Sequence, residues 1–360
     1  MAKILDCELS REYLLRHVGN LSQVAGIRSF TMNEGKSEGL KAFEINTGSG
    51  LEAVVLEGKC LDVAGMKYKG INLNFLTKPG LVAPQYASQY GSEFVRNFQG
   101  GMLYTCGLSN VGTACTDMGN AYGSHGRIGS ISAEKTGMTT GWHGDEYLME
   151  LSGEMREAAL FGENLVLRRR ISTQLGARYI RIHDIVENQG FEAQPLLLLY
   201  HFNFGYPLLS EGARVVIPSV KVTPRDDEAA KGLFDYKTFR APIDAFKEQV
   251  FYHEAAAGES GDTVAALVND RLHLGVYIKY NVRQLPRLIH WKSMASGDYA
   301  LGIEPSTCLV EGRAKERERG DLKYLAPFEE KAFELEIGIL DGSDEIDAFE
   351  KRVQSMLANQ

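Results

Sequence analysis

Pro195-Leu-Leu-Leu-Leu-Tyr-His201-Phe-Asn-Phe-Gly205-Tyr-Pro207 is an apolar run opened by one proline, closed by Gly-Tyr-Pro, and interrupted near its end by a histidine. Read as a strand, it places Leu197, Leu199, His201 and Asn203 on one face and Leu198, Tyr200, Phe202 and Phe204 on the other, because side chains alternate along extended chain. Both faces are then apolar, so the strand belongs inside a layered β structure. Taken alone, His201 reads as a core histidine satisfied by one hydrogen bond. A functional reading needs company from elsewhere in the chain.

Outward from this strand, short alternating runs punctuated by glycine continue for most of the 360 residues. The pattern predicts strands at 26–31, 41–46, 51–56, 128–133, 147–155, 165–173, 179–187, 214–217, 263–269, 274–280 and 331–340. In the last of these, Phe333, Leu335, Ile337 and Ile339 oppose Glu334 and Glu336, as in a half-buried antiparallel strand. In 179–187, Ile180, Ile182 and Val186 oppose Arg181, His183 and Glu187, which assigns His183 to the polar face. With almost no helical period between strands, the expected fold class is all-β, a large antiparallel sandwich rather than βαβ units. Two helices frame it. Residues 10–18 form a short helix with Ser10 as N-cap inside an N-terminal cover (1–23), and 343–358 form a closing helix with Ile346, Phe349, Val353 and Met356 on one face. No linker divides the chain, so 1–360 is expected to be a single domain. The stretches 73–118 and 224–252 fit neither period and are expected to be functional loops or lids.

Net charge −8, from 47 acidic against 39 basic residues, argues against a nucleic-acid partner, which needs a basic surface to displace counterions. Arg168-Arg169-Arg170, the only basic run, alternates along a predicted strand and reads as a solvated face, with a sugar or phosphate clamp as the alternative. Five scattered cysteines form no CxxC pair and predict neither disulfides nor a zinc knuckle. No stretch approaches about 18 apolar residues, and acidic residues stand where a signal peptide would need an apolar run. A cytoplasmic protein without membrane attachment is expected.

Two further residues carry chemistry. Glu304, in Tyr299-Ala-Leu-Gly-Ile-Glu304-Pro, ends an apolar strand where partial burial would raise its pKa and suit it to general base work; a salt-bridged strand end is the alternative. His125, in Tyr-Gly-Ser-His125-Gly126, sits in a glycine-flanked loop where backbone can approach a ligand. An exposed turn histidine is the competing reading.

The His-Gly loop, the strand ending His-Phe-Asn-Phe-Gly and the late Gly-Ile-Glu-Pro, in that order, resemble the aldose 1-epimerase, or galactose mutarotase-like, family. With Gly-Gly-Met-Leu-Tyr-Thr-Cys-Gly-Leu at 100–108, the chain is similar to a less characterised bacterial branch. The resemblance implies a β-supersandwich that interconverts sugar anomers without cofactor or metal. It implies Glu304 as general base, His201 as general acid and His125 as a sugar-holding histidine. Better-studied members carry an Asn-Arg pair on an early strand. Here the order is Arg96-Asn97, and Arg96 is the expected sugar-binding arginine. Asn203, beside His201, and Trp291, whose ring could cover the apolar face of a pyranose or serve in the core, complete the expected site. The acid that grips sugar hydroxyls stays open among Asp62, Asp226, Asp227 and Asp235. The alternatives are a carbohydrate-binding or sensor protein of the same fold without turnover, another sugar isomerase, or a glycoside hydrolase, which would need a second facing carboxylate. The expected partner is a small-molecule sugar, and a homodimer is compatible with this reading.

Overall fold

The computed structural model describes residues 2–4, 7–88 and 93–358. Three antiparallel sheets form its body. The eight-stranded sheet runs, in spatial order, Glu134–His143, Glu146–Ala158, Asn164–Gln174, Tyr179–Asn188, Glu330–Asp341, Leu274–Asn281, Asp262–Asn269 and Ala213–Val216. The six-stranded sheet runs Ser219–Pro224, Gln249–Ala255, Arg287–Ala295, Asp298–Ser306, Leu197–Phe204 and Leu103–Leu108. A five-stranded meander, from Gly26–Thr31 to Ile71–Asn72, completes the layers. This is the large antiparallel sandwich that the succession of strands predicts.

The alternation around His201 explains where the core lies. Leu198, Tyr200, Phe202 and Phe204 join a main apolar cluster with Val55 and Val63 of the meander and Leu167, Ile182 and Ile278 of the larger sheet. Leu197 and Leu199 join a second cluster on the opposite face, with Tyr104, Val250 and Ile289. One face of the six-stranded sheet is therefore buried against the other layers, and the second is left for loops to cover. Over that face lie Phe75, Thr77, Lys78, Phe94 and Phe98 from one loop segment and Gly112, Thr113, Ser124 and His125 from another.

Apart from 128–133, the predicted strands fall where alternation places them, within three residues at each end. The closing helix, Ser343–Ala358, buries Ile346, Phe349 and Val353, and Ser10 accepts a hydrogen bond from the Tyr13 backbone amide as N-cap of Arg11–His17. The N-terminal cover also holds a small hairpin, Ala2–Ile4 with Cys7–Leu9, that the expected helical cover lacked. Residues 128–133 are not a strand: Ile128–Ser130 is a 3-10 turn that buries Ile128. The supposed loop 73–118 contains Leu103–Leu108, whose six residues are all buried and so show no alternation. Gln249–Ala255, beginning inside 224–252, also escaped prediction: Gln249, Val250 and Phe251 are buried in succession, so its first half shows no alternation. Among the described residues, no helix is long and apolar enough to cross a membrane.

The basic run is corrected at its centre. Arg168 and Arg170 lie partly exposed beside Glu187 and Glu150, but the Arg169 side chain is fully buried. Arg169 donates to Asp184, to Asp62 at 2.7 Å and to the Cys60 carbonyl at 2.9 Å. Asp62 also accepts from the amide and hydroxyl of Thr105, and Tyr200 donates to Asp184 at 2.8 Å. A buried guidinium survives because two carboxylates and a carbonyl replace its water. The cluster ties all three sheets together directly behind the His201 strand.

Candidate active site

The strands Leu197–Phe204 and Asp298–Ser306 are neighbours, and their register pairs Leu199 with Ser306 and Phe202 with Ile303. His201 therefore lies across from Glu304, on the face turned away from the main core. Their side chains approach to 3.2 Å, His201 Nε2 to Glu304 Oε1. Both are buried, with residue exposures of 6% and 2%. Gly302, two positions before Glu304 on the same face, leaves the space this approach needs: a Cβ there would lie 2.3 Å from Glu304 Oε1.

The pair forms the floor of an open cavity of about 500 Å³. On the Arg287–Ala295 strand, Trp291 packs edge-on to His201 with ring centroids 5.6 Å apart. The covering loops supply the opposite wall. His125 lies 5.9 Å from His201, stacked on Phe94 at 4.8 Å, with Phe98 beside His201 at 5.3 Å. His125 is held in a left-handed conformation, φ 58°, and its amide donates to the Gly112 carbonyl at 2.9 Å. The next residue is necessarily glycine: φ is +72°, and a Cβ on Gly126 would meet the Gly107 carbonyl oxygen at 2.2 Å.

Electrostatics push the pair toward uncharged forms. Burial lowers the His201 pKa well below that of a free imidazole, and neighbouring His125 lowers it further. Burial raises the Glu304 pKa well above the ordinary carboxyl range; Glu248 adds to the shift and Arg225 opposes it. Burial also lowers the His125 pKa to about 4. Both shifts favour the uncharged forms, an imidazole and a carboxyl, which together carry the same single proton as an imidazolium and a carboxylate.

Of the residues expected in the site, His125, His201, Trp291 and Glu304 line one cavity. Arg96 does not join them: its side chain is 71% exposed and pairs with Glu93 at 3.4 Å, while Phe94 and Phe98 of the same segment turn to the cavity. Asn203 is buried beside His201 instead of lining the wall, and its amide donates to the His201 carbonyl at 2.7 Å. None of the four candidate acids reaches the cavity. Asp62 is held by Arg169 and Thr105, Asp226 caps the short helix Asp227–Lys231, and Asp235 pairs with Arg240. Glu248 and Arg225 line it instead. Glu248 accepts from Trp291 Nε1 at 2.7 Å and from Arg225 at 3.1 Å, which fixes its carboxylate at the pocket side. Both come from the neighbourhood of 224–252, where the missing periodicity was the only available signal. Lys78 and Asp298, paired at 2.6 Å, stand at the rim.

Comparison with known proteins agrees with the architecture. A Klebsiella pneumoniae subsp. pneumoniae structure described as a candidate aldose 1-epimerase superposes with a TM-score of 0.89 at 26% identity, over 94% of this chain and 91% of that one. A galactose mutarotase-like protein from Clostridium acetobutylicum (TM-score 0.61, 17% identity, 89% and 99% covered) has the same fold. So has a galactose 1-epimerase from Lactobacillus acidophilus (TM-score 0.58, 14% identity, 88% and 99% covered). No curated protein sequence matches the chain. Residues 37–339 match one family model, and the chain therefore belongs to the family described as a domain of unknown function, DUF4432.

Proposed function

We propose that the protein is an isomerase that interconverts the anomers of an aldose by general acid/base ring opening. The observation that carries this reading is the His201–Glu304 pair, 3.2 Å apart on the floor of the cavity. Ring opening requires a proton to leave the anomeric hydroxyl while another reaches the ring oxygen, and closure reverses both transfers. A pair holding one proton between two sites meets that requirement without a cofactor. When the anomeric hydroxyl donates to Glu304, the carboxylate form is stabilised and the shared proton moves to His201. His201 then protonates the ring oxygen as Glu304 takes the anomeric proton; the aldehyde turns about its bond to the next carbon and the ring closes on its other face. Glu248, anchored by Trp291 and Arg225, is the acceptor for sugar hydroxyls, and the Trp291 ring covers an apolar face of the pyranose.

The test is saturation-transfer NMR of anomer exchange across a panel of aldoses, with the parent protein and with Glu304→Gln and His201→Asn. Each variant should lose about 10²- to 10⁴-fold in kcat with a modest change in KM. A folded Glu304→Gln protein that turns over its best sugar at the parent rate would sink the assignment. Failure of the parent to accelerate any sugar would make the protein a binder of the same fold.

A further inference from the structure

A second cleft adjoins the candidate active site. It is open, encloses about 620 Å³, and no charged side chain among the described residues lines it. Its walls carry Phe30, Phe75, Leu76, Tyr206 and Tyr299. Three of these are large apolar side chains left in water: Phe30 is 37% exposed, Leu76 54% and Tyr206 75%. Contiguous apolar exposure around a concave surface marks a ligand groove, because leaving such side chains solvated forgoes the free energy of burying them. Polar groups are also on offer. Asn72 donates to the carbonyls of Asn74 and Tyr206, at 2.7 and 2.8 Å, while its side-chain oxygen accepts nothing from the described residues.

The two cavities share a wall residue. Phe75 lines both, and along the turn after the Arg287–Ala295 strand Gly297 and Tyr299 face the second cleft while Asp298 faces the first. The Lys78–Asp298 pair caps this partition in solvent. A ligand seated over His201 and Glu304 can thus extend across the rim only through a substituent that is uncharged and amphipathic enough for aromatic walls with amide handles. Anomer exchange needs a free anomeric hydroxyl, so that substituent is attached through another position of the sugar.

Building on the proposed anomerase reading, we infer that the second cleft is a subsite for the non-reducing ring of an uncharged reducing disaccharide, whose reducing ring occupies the His201–Glu304 cavity. An aryl or alkyl group fits the apolar walls alone. A second pyranose also uses the Asn72 oxygen and the Tyr206 hydroxyl.

The experiment compares glucose and galactose with cellobiose, lactose and maltose in the anomer-exchange assay, using the parent, Tyr206→Ala and Leu76→Ser. Both substituted side chains are exposed, so folding is not at stake. At least one disaccharide should exceed the monosaccharides about tenfold in kcat/KM. Both variants should remove that advantage while leaving the monosaccharide values within about twofold. Equal values for mono- and disaccharides, or a variant that lowers both alike, would overturn the inference. A second arm needs no turnover: titration of the methyl glycosides of the same disaccharides, blocked at the anomeric carbon, into Glu304→Gln protein. Binding that Tyr206→Ala weakens about tenfold supports the subsite even if no sugar is turned over, an outcome that defeats the anomerase reading alone. Anomer exchange without a disaccharide preference or Tyr206-dependent binding defeats the subsite alone.

Discussion

At the scale of single residues, the site depends on one absent side chain as much as on those present. Gly302 has an extended backbone that alanine also adopts, so Gly302→Ala tests space and not backbone strain. Its Cβ would press on Glu304 Oε1 and lie 3.1 Å from His201 Cε1. The carboxylate can rotate away at little cost to folding, but it then leaves the imidazole. Gly302→Ala should lower turnover by about 10²-fold, the scale of general acid/base catalysis, with a near-parental melting temperature. Parental turnover would show that the close approach of the pair is irrelevant to chemistry. The opposed shifts of Glu304 and His201 also predict the pH profile. Turnover should be level through neutrality, where the pair keeps its one proton. It should fall in acid when a second proton binds, and in base when the only one is lost.

Among the elements, the strands Gln249–Ala255 and Arg287–Ala295 carry a second histidine pair that the proposed chemistry does not use. His253 and His290 stack with centroids 5.5 Å apart, against Tyr236. His253 bonds to Ser219 at 2.7 Å, but neither ring nitrogen of His290 has a hydrogen-bond partner among the described residues. Burial lowers both pKa values, that of His253 to about 3 with Lys237 adding to the effect. Because the folded values lie below the ordinary 6.5, the unfolded chain binds more protons in that interval. Stability contributed by the neutral pair is complete above pH 6.5 and lost as pH falls toward the folded values. His290→Phe keeps an aromatic ring and removes an unpaired buried polar group, a change worth about 1–3 kcal/mol. Urea unfolding should find the variant more stable than the parent at pH 7 and losing stability less steeply between pH 6.5 and 4. A steeper loss would contradict the assignment.

For the whole molecule, the decisive feature is the buried Arg169 cluster, which joins residues of all three sheets behind the His201 strand. Asp62 is raised to about pKa 6 by burial even with Arg169 beside it. Arg169→Met would leave Asp62 and Asp184 buried without their cation, at a cost of about 3–5 kcal/mol. Adding Asp62→Asn and Asp184→Asn should recover much of that loss. Chemical denaturation of the single and triple variants checks both statements, and a single variant as stable as the parent would mean that the cluster holds nothing together.

What the amino-acid order determined by itself is what local periodicity encodes. Half-buried strands such as Glu330–Asp341 announce themselves because one face meets water and the other the core. The closing helix does so through its three- and four-residue spacing, and the antiparallel sandwich follows from the succession of strands. His201 and Glu304 stood out because ionisable groups in apolar runs need a reason to be there. Tertiary structure decided the rest. Leu103–Leu108 is covered on both faces, and so is the first half of Gln249–Ala255, which erases alternation there. Arg169 looked solvated because the carboxylates that neutralise it, Asp62 and Asp184, come from other strands. Glu248 and Arg225 reach the cavity, and Arg96 does not, through loop paths that no period records. The 3.2 Å approach of His201 to Glu304 is a property of cross-strand register, set by packing between segments far apart in the chain.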